Sequence, residues 1–388
     1  MHSIVASGQW EYGIEGIGEG KSSPGLSLII KSFLKDDPRP IYVVVNAGSN
    51  TLAQALIDFE TRYSAQQLDA VVRKLRVFEN GAQDNAGAWI CSKYPDIHWI
   101  RSNYQTYCYG GPMPRTAEKL QVKGLKKGPL TWHPYAYSDL GQHQWTLEHV
   151  IAGHGSLGAY YPLRMMGNRL FFLEGGGTIP WLGLVNQGLY SVDHLSWGGW
   201  SGRFTAEKVP NIWSRYERIQ KDEESYGPFN LYTEVADHWV DPVTDSVYHN
   251  VFAPVYRWRQ AFFNDFKCRM DWCVADYNKA NHNPVAAVNG DSEEKIHFFQ
   301  VEPGKSIQLD AGASSDPDGD QITFHWWIYQ KAGTYPDPIE IQDYSSSTVS
   351  LQIPKDGLGK DLHLILEISD HHVIASMYDY RRIVFQIR

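Results

Sequence analysis

The sequence predicts an α/β domain with a mostly parallel sheet, followed by a small all-β sandwich. Three observations carry this expectation. From Arg39 to about Ser102, short apolar β-branched runs alternate with helical stretches, the pattern of a layered α/β fold. Beyond Asn281 the chain changes to strand-like runs separated by turn clusters, the pattern of an antiparallel sandwich. The charge breaks at the same place: 16 acids face 8 bases from Ala286 onward, whereas the preceding residues hold 28 and 27. With 388 residues the chain exceeds the roughly 250–300 that one core supports, and the division falls at 1–281 and 282–388.

Taken in order, Ser22-Ser23-Pro24 reads as a helix cap, with Pro24 opening a helix over 25–34. The nearby Gly18-Glu19-Gly20-Lys21-Ser22 is not a phosphate loop, because Glu15 stands where the first glycine is required. Ile41-Tyr42-Val43-Val44-Val45 is a strand buried on both faces, ending at Asn46-Ala47-Gly48-Ser49-Asn50. Helices follow from Thr51 and over 64–75, then a strand at 76–79, a helix at 84–93 and a strand at 97–100. From Gln105 to Asn250 the chain is rich in Gly, Trp, Tyr and His, with helices expected at 145–152 and 181–189 and a strand at 169–173. Long irregular stretches on such a scaffold usually build a site. Val255 to Lys279 reads as one helix whose stripe of Trp258, Phe262, Phe266, Met270, Val274 and Tyr277 faces a core. Strands are expected at 307–310, 323–329, 348–353, 362–368 and 382–387.

Composition removes several classes of function. A formal charge of −9 offers no basic surface for duplex nucleic acid or an anionic membrane. No run of 18 apolar residues predicts a membrane helix, and the first residues lack the pattern of a signal peptide. The four cysteines fit neither a disulfide framework nor a zinc pattern. The histidines from His133 to His154 contain no HExxH, and no GxSxG marks a nucleophilic serine. Aromatics make up 13% of the chain, including 14 Trp, which suits either sugar stacking or an aromatic core.

Two sets of motifs then carry a resemblance. Asn283-Pro284-Val285-Ala286, the turn Asp316-Pro317-Asp318-Gly319-Asp320 and Phe324-His325-Trp326 resemble the polycystic-kidney-disease-type immunoglobulin-like domain, whose Trp fills the core. The acidic turn is no EF-hand, since the loop's fourth position is Gly and its twelfth is Trp327; it reads as an Asx-rich turn or a weak calcium site. In the first part, residues 42–56 (YVVVNAGSNTLAQAL) resemble the strand–turn–helix element of nucleoside hydrolases. Gly20-Lys21-Ser22-Ser23-Pro24-Gly25, Asp36-Asp37-Pro38-Arg39-Pro40, Ser196-Trp197-Gly198-Gly199-Trp200-Ser201-Gly202-Arg203 and Asn281-His282-Asn283-Pro284 extend the match. Together they resemble the cellulose-binding, nucleoside-hydrolase-like family, which joins such a domain to a C-terminal immunoglobulin-like module.

The resemblance implies a carbohydrate-directed protein that binds, and in an active form hydrolyses, glycosidic bonds of plant-type polysaccharide. The alternatives are a non-catalytic binding module and a calcium-dependent nucleoside N-ribohydrolase. It also implies secretion or a periplasmic location, carbohydrate as partner, and neither nucleic acid nor membrane. In nucleoside hydrolases a calcium ion activates the attacking water. Carried over, Asn46 supplies the carbonyl next to the metal, and Asp84 and Glu174 are the candidate catalytic acids. Glu19, Asn50, Asn85, Trp197, Trp200 and Arg203 are the candidate substrate contacts, the two Trp as a stacking platform. A packed loop with glycines at positive φ is the other reading of Ser196–Arg203. The family's opening strand, with its acid cluster, finds no counterpart here, and Gly177 stands where the family offers an acid before Thr178.

Overall fold

A computed structural model describes residues 4–103, 105–108, 142–161, 163–166, 169–173, 177–185, 187–189, 192–209, 226–242, 245 and 247–388. Glu174 and His133 lie outside them.

Helix α1 (Pro24–Phe33) leads to strand β1 (Ile41–Val45), helices α2 (Asn50–Arg62) and α3 (Ala65–Lys74), strand β2 (Leu75–Asn80), helix α4 (Ala86–Lys93) and strand β3 (His98–Ser102). Local chemistry explains the boundaries. Pro24 stands at the start of α1 with Ser23 in the cap position, although the Ser23 side chain makes no capping hydrogen bond. Ser64 and Gln67 form a reciprocal capping box that fixes the start of α3.

Past short helices α5 (Gln142–Thr146) and α6 (Gly155–Ala159), the hairpin β4 (Leu163–Met166) and β5 (Arg169–Leu173), and α7 (Ile179–Leu182), strands β6 (Phe204–Val209) and β7 (Phe229–Glu234) return to the first sheet. Its order is β1-β2-β3-β7-β6. The first four run parallel and β6 pairs antiparallel with β7. One face, carrying Val45, Val77 and Trp99, packs on α1, α2 and α4 through Leu26, Leu52, Leu56 and Ile90. The opposite face, carrying Phe78 and Ile100, packs on an aromatic core.

A hairpin, β8 (Asp237–Val240) and β9 (Val247–Asn250), precedes α8 (Ala253–Tyr256) and α9 (Arg259–Trp272). The single long helix expected over 255–279 is therefore shorter. Trp258, Phe262 and Met270 are buried as the stripe requires, but the helix stops at Trp272, and Val274 and Tyr277 are exposed. The helix expected over 181–189 is likewise only the short α7.

The C-terminal region is all strand. β10 (His297–Val301), β16 (Tyr378–Ile387), β15 (Asp361–Asp370) and β12 (Ile322–Ile328) form one sheet, and β11 (Ser306–Asp310), β14 (Thr348–Gln352) and β13 (Ile341–Gln342) the other. Trp326, Leu351, Leu364 and Phe385 fill the space between them. The 316–320 turn is an Asx turn, with the Asp318 and Asp320 amides donating to Asp316 Oδ1 at 2.8 and 3.1 Å.

This sandwich shares a core with the preceding region. Tyr329, Ile365 and Tyr380 belong to the same buried cluster as Trp200, Trp258 and Phe262.

Candidate functional site

All four parallel strands point their carboxyl ends to one edge of the sheet, where ligands of open α/β sheets bind. β1 delivers Asn46-Ala47-Gly48-Ser49, β2 delivers Glu79 and the turn to Asn85, and β3 delivers Arg101 and Ser102.

Glu79 is fully buried. Its Oε2 accepts from Trp99 Nε1 at 2.9 Å and Arg101 Nε at 2.6 Å, and its Oε1 from Ser49 Oγ at 3.2 Å. A carboxylate so fully bonded beside a cation is an anchor of the strand ends rather than a reagent.

Asp84 differs. It is 2% exposed, and its Oδ1 accepts from the backbone N–H groups of Ser49 (3.0 Å) and Ala86 (3.2 Å). Those amides begin α2 and α4, so two helix N-termini converge on one carboxyl group. The other oxygen, Oδ2, is buried without a hydrogen-bond partner. It lies against Gly48, where an added Cβ would come within 2.4 Å of it. Burial pushes the Asp84 pKa up to about 6; the Ser49 amide opposes the rise and the charge of Glu79 adds to it. The turn before Asp84 is strained, with Gly81 and Ala82 both at positive φ, as backbones at binding sites often are.

The candidate residues fall into three groups. Asp84 lies at the strand ends beside Asn46, Asn50 and Asn85. Asn50 and Asn85, however, spend their side chains on the N-terminal segment: Asn50 Nδ2 donates to the Glu11 carbonyl at 2.7 Å, and the Ile14 amide donates to Asn85 Oδ1 at 3.0 Å. Glu19 sits in an exposed turn held by Gln54 of α2, where the Gly18 amide donates to Gln54 Oε1 at 2.7 Å.

Trp197, Trp200 and Arg203 are elsewhere, and the stacking-platform expectation does not match their surroundings. Trp200 is 1% exposed and offers no face to a sugar. Trp197 stacks on His194 (centroids 3.7 Å apart) and meets His363 of the sandwich edge-on. Arg203 is buried against Asp237, with Nε donating at 2.8 Å. Gly198 and Gly202 have φ of 76° and 97°, so this stretch is the packed, glycine-dependent loop.

The fit for calcium is poor. The Asn46 carbonyl accepts a hydrogen bond from Gln83 Nε2, and Glu79 is already saturated. Among the described residues no group of three or more His, Cys, Asp or Glu could hold a metal ion. No step is routed through one here. Glu79 and Ser49 were not among the expected site residues; the signal for Glu79 was an acid at the carboxyl end of the strand Arg76-Val77-Phe78-Glu79.

The state of Asp84 gives a prediction about stability. At low pH the folded and unfolded chains both carry the proton, and the site has no penalty. As pH rises, the unfolded carboxyl ionises near 4 and the folded one only near 6, so stability is lost across that interval. Asp84→Asn, which keeps the acceptor for both amides, should therefore exceed the parent by on the order of 2–3 kcal/mol above pH 6. Urea denaturation from pH 4 to pH 8 should show the gap closing at the acid end. A parent more stable than the variant at pH 8 would contradict this.

A mostly parallel sheet with a buried acid at its carboxyl edge, joined to a β-sandwich, defines an α/β protein whose ligand edge is the strand ends. The particular family follows from comparison. Residues 1–204 match the family model described as cellulose-binding Sde182, nucleoside hydrolase-like domain, and residues 306–387 match that of the cellulose-binding protein Sde0182 C-terminal domain. The chain belongs to this family. It is similar to the solved structure of a nucleoside hydrolase-related protein from Saccharophagus degradans associated with carbohydrate metabolism. The identity is 32% and the TM-score 0.79, over 100% of this chain and 81% of that one. A weaker likeness, to an endo-fucoidan hydrolase of glycoside hydrolase family 107, has a TM-score of 0.19 at 12% identity over 46% of this chain and 28% of that one, and enters no argument. No curated protein matches the chain.

Proposed function

We propose that the chain binds plant-type, β-linked polysaccharide at the carboxyl edge of its parallel sheet, with Asp84 as the polar centre of the site. The observation that carries this reading is the unpartnered Asp84 Oδ2. A buried polar oxygen without a partner is costly, and the strand ends that hold it are the edge at which ligands of open α/β sheets bind. The family's description as cellulose-binding supports the choice of ligand. Depletion of the full chain from solution by insoluble cellulose, with pectin in parallel, tests it. The parent should be retained and Asp84→Ala should bind at least tenfold more weakly; a parent that is not retained on either polymer overturns the reading.

A second reading, hydrolysis of the glycosidic bond, is favoured by the Asp84 proton, which is held to about pH 6 and suits a general acid. The two-carboxylate scheme needs a second free acid, and Glu79 is fully engaged. Little ribose release from inosine or uridine is expected, with or without added calcium. Robust calcium-dependent release would restore the nucleosidase alternative, and reducing-sugar release lost in Asp84→Asn would support polysaccharide hydrolysis.

A further inference from the structure

We infer that Trp10 and Trp181, on the two segments that border the carboxyl ends of the parallel strands, stack on the sugar rings of a β-linked glucan. The inference rests on the carbohydrate reading above and adds the residues that would grip the chain at that edge.

Trp10 is 86% exposed, which is unusual for the largest apolar side chain. Its backbone is nevertheless fixed from both sides. The Gln9 amide donates to Thr51 Oγ1 at 3.1 Å, and the Glu11 carbonyl accepts from Asn50 Nδ2 at 2.7 Å. Both partners lie in the first turn of α2, directly after Ser49, whose amide holds Asp84. Two residues further on, Gly13 has φ of 49° and sits so close to Asn85 that a Cβ would meet its Oδ1 at 1.9 Å. The segment around Trp10 is therefore a strap tied to the residues on either side of the Asp84–Ser49 contact. Asn50 and Asn85 act as its fasteners, and the strap presents an indole to solvent.

Trp181 comes from the other side. Gly177 is pressed onto Asn46, where a Cβ would meet the Asn46 side chain at 2.4 Å, so the chain leaves the end of β1 at that point. It then forms α7, in which Ile179, Pro180 and Leu182 are buried while Trp181 is 55% exposed. Three buried residues fix the helix and the fourth faces out. An indole face covers the apolar C–H face of a sugar, and its N–H can bond a hydroxyl. Two exposed indoles on anchored backbones, one on each segment bordering the strand ends, offer stacking faces to a glucan chain laid across that edge.

Binding of the full chain to cellohexaose by calorimetry, and to insoluble cellulose by depletion, tests the inference. Trp10→Ala and Trp181→Ala should each weaken binding about tenfold, the scale of losing one aromatic anchor, and should melt with the parent because both side chains are exposed. Trp10→Phe should recover most of the affinity. Tyr277→Ala, which removes a 74% exposed aromatic on a separate 3-10 turn, should bind as the parent does. A parent that binds while both Trp→Ala variants bind equally well overturns the inference and leaves the carbohydrate reading standing. A parent that binds no glucan overturns both.

Discussion

Replacing Asp237 by alanine is expected to destabilise the protein by about 3–5 kcal/mol, the cost of removing one partner from a buried ion pair. Asp237 is 1% exposed. Its Oδ1 accepts from Arg203 Nε at 2.8 Å, and its Oδ2 accepts from the Tyr329 hydroxyl at 2.7 Å and Arg257 Nη2 at 3.4 Å. The Arg257 guanidinium also lies 4.4 Å from the Tyr329 ring centroid. One carboxylate thus neutralises two nearly buried cations and bonds a phenol whose own ionisation is suppressed by burial. Tyr329 follows β12 of the sandwich, while the arginines and Asp237 come from the preceding region, so the network ties the two. Tyr329→Phe removes only the hydroxyl and should cost about 1–2 kcal/mol. Urea denaturation of both variants is the measurement. An Asp237→Ala chain within about 1 kcal/mol of the parent would show that the carboxylate is not what balances these cations.

The fold was readable in the sequence wherever burial imposed a period. The strand at Ile41–Val45 and the helix opened by Pro24 each appear where they were expected, although β1 lies at the edge of its sheet and only Val45 of it is buried, not both faces. β6 and β7 were not foreseen, because only Phe204, Phe229 and Leu231 among their residues are buried and the strands are defined by pairing with residues far along the chain. The end of the long helix was misplaced for a related reason. Val274 and Tyr277 continue the apolar spacing, but the chain has already left the helix, and spacing cannot distinguish a buried stripe from exposed aromatics.

At the site, Asp84 came from the resemblance, as an acid in the turn between the second strand and its helix, where the structure buries it against two helix N-termini. The aromatic residues were not legible. Trp197 and Trp200, among glycines, look like a platform in sequence, and only the three-dimensional arrangement shows the sandwich lying against them. Trp10 is the converse: nothing near it in sequence marks a site, since its fasteners at Asn50 and Thr51 are some forty positions away.

The fate of Trp200 separates these two kinds of tryptophan. Trp200→Ala is expected to cost about 3–5 kcal/mol of stability, the range for emptying a buried aromatic site. Its ring meets Phe262 of α9 at 6.1 Å between centroids and Tyr380 of β16 at 6.5 Å, nearly edge-on to the latter. It therefore bridges the helix and the sandwich, and neither neighbour can close the gap without giving up its contacts with Trp258 or Phe263. Trp200→Phe keeps a ring in the site and should lose less. Thermal melts and urea curves give the stability, and cellulose depletion well below the melting temperature gives the binding. The expected result is a large fall in melting temperature with unchanged affinity of the molecules that remain folded, the opposite of Trp10→Ala. A Trp200→Ala chain that melts with the parent but releases cellulose would return the sugar-binding role to the Ser196–Arg203 loop, because a residue packed as Trp200 is here cannot be removed without loss of stability.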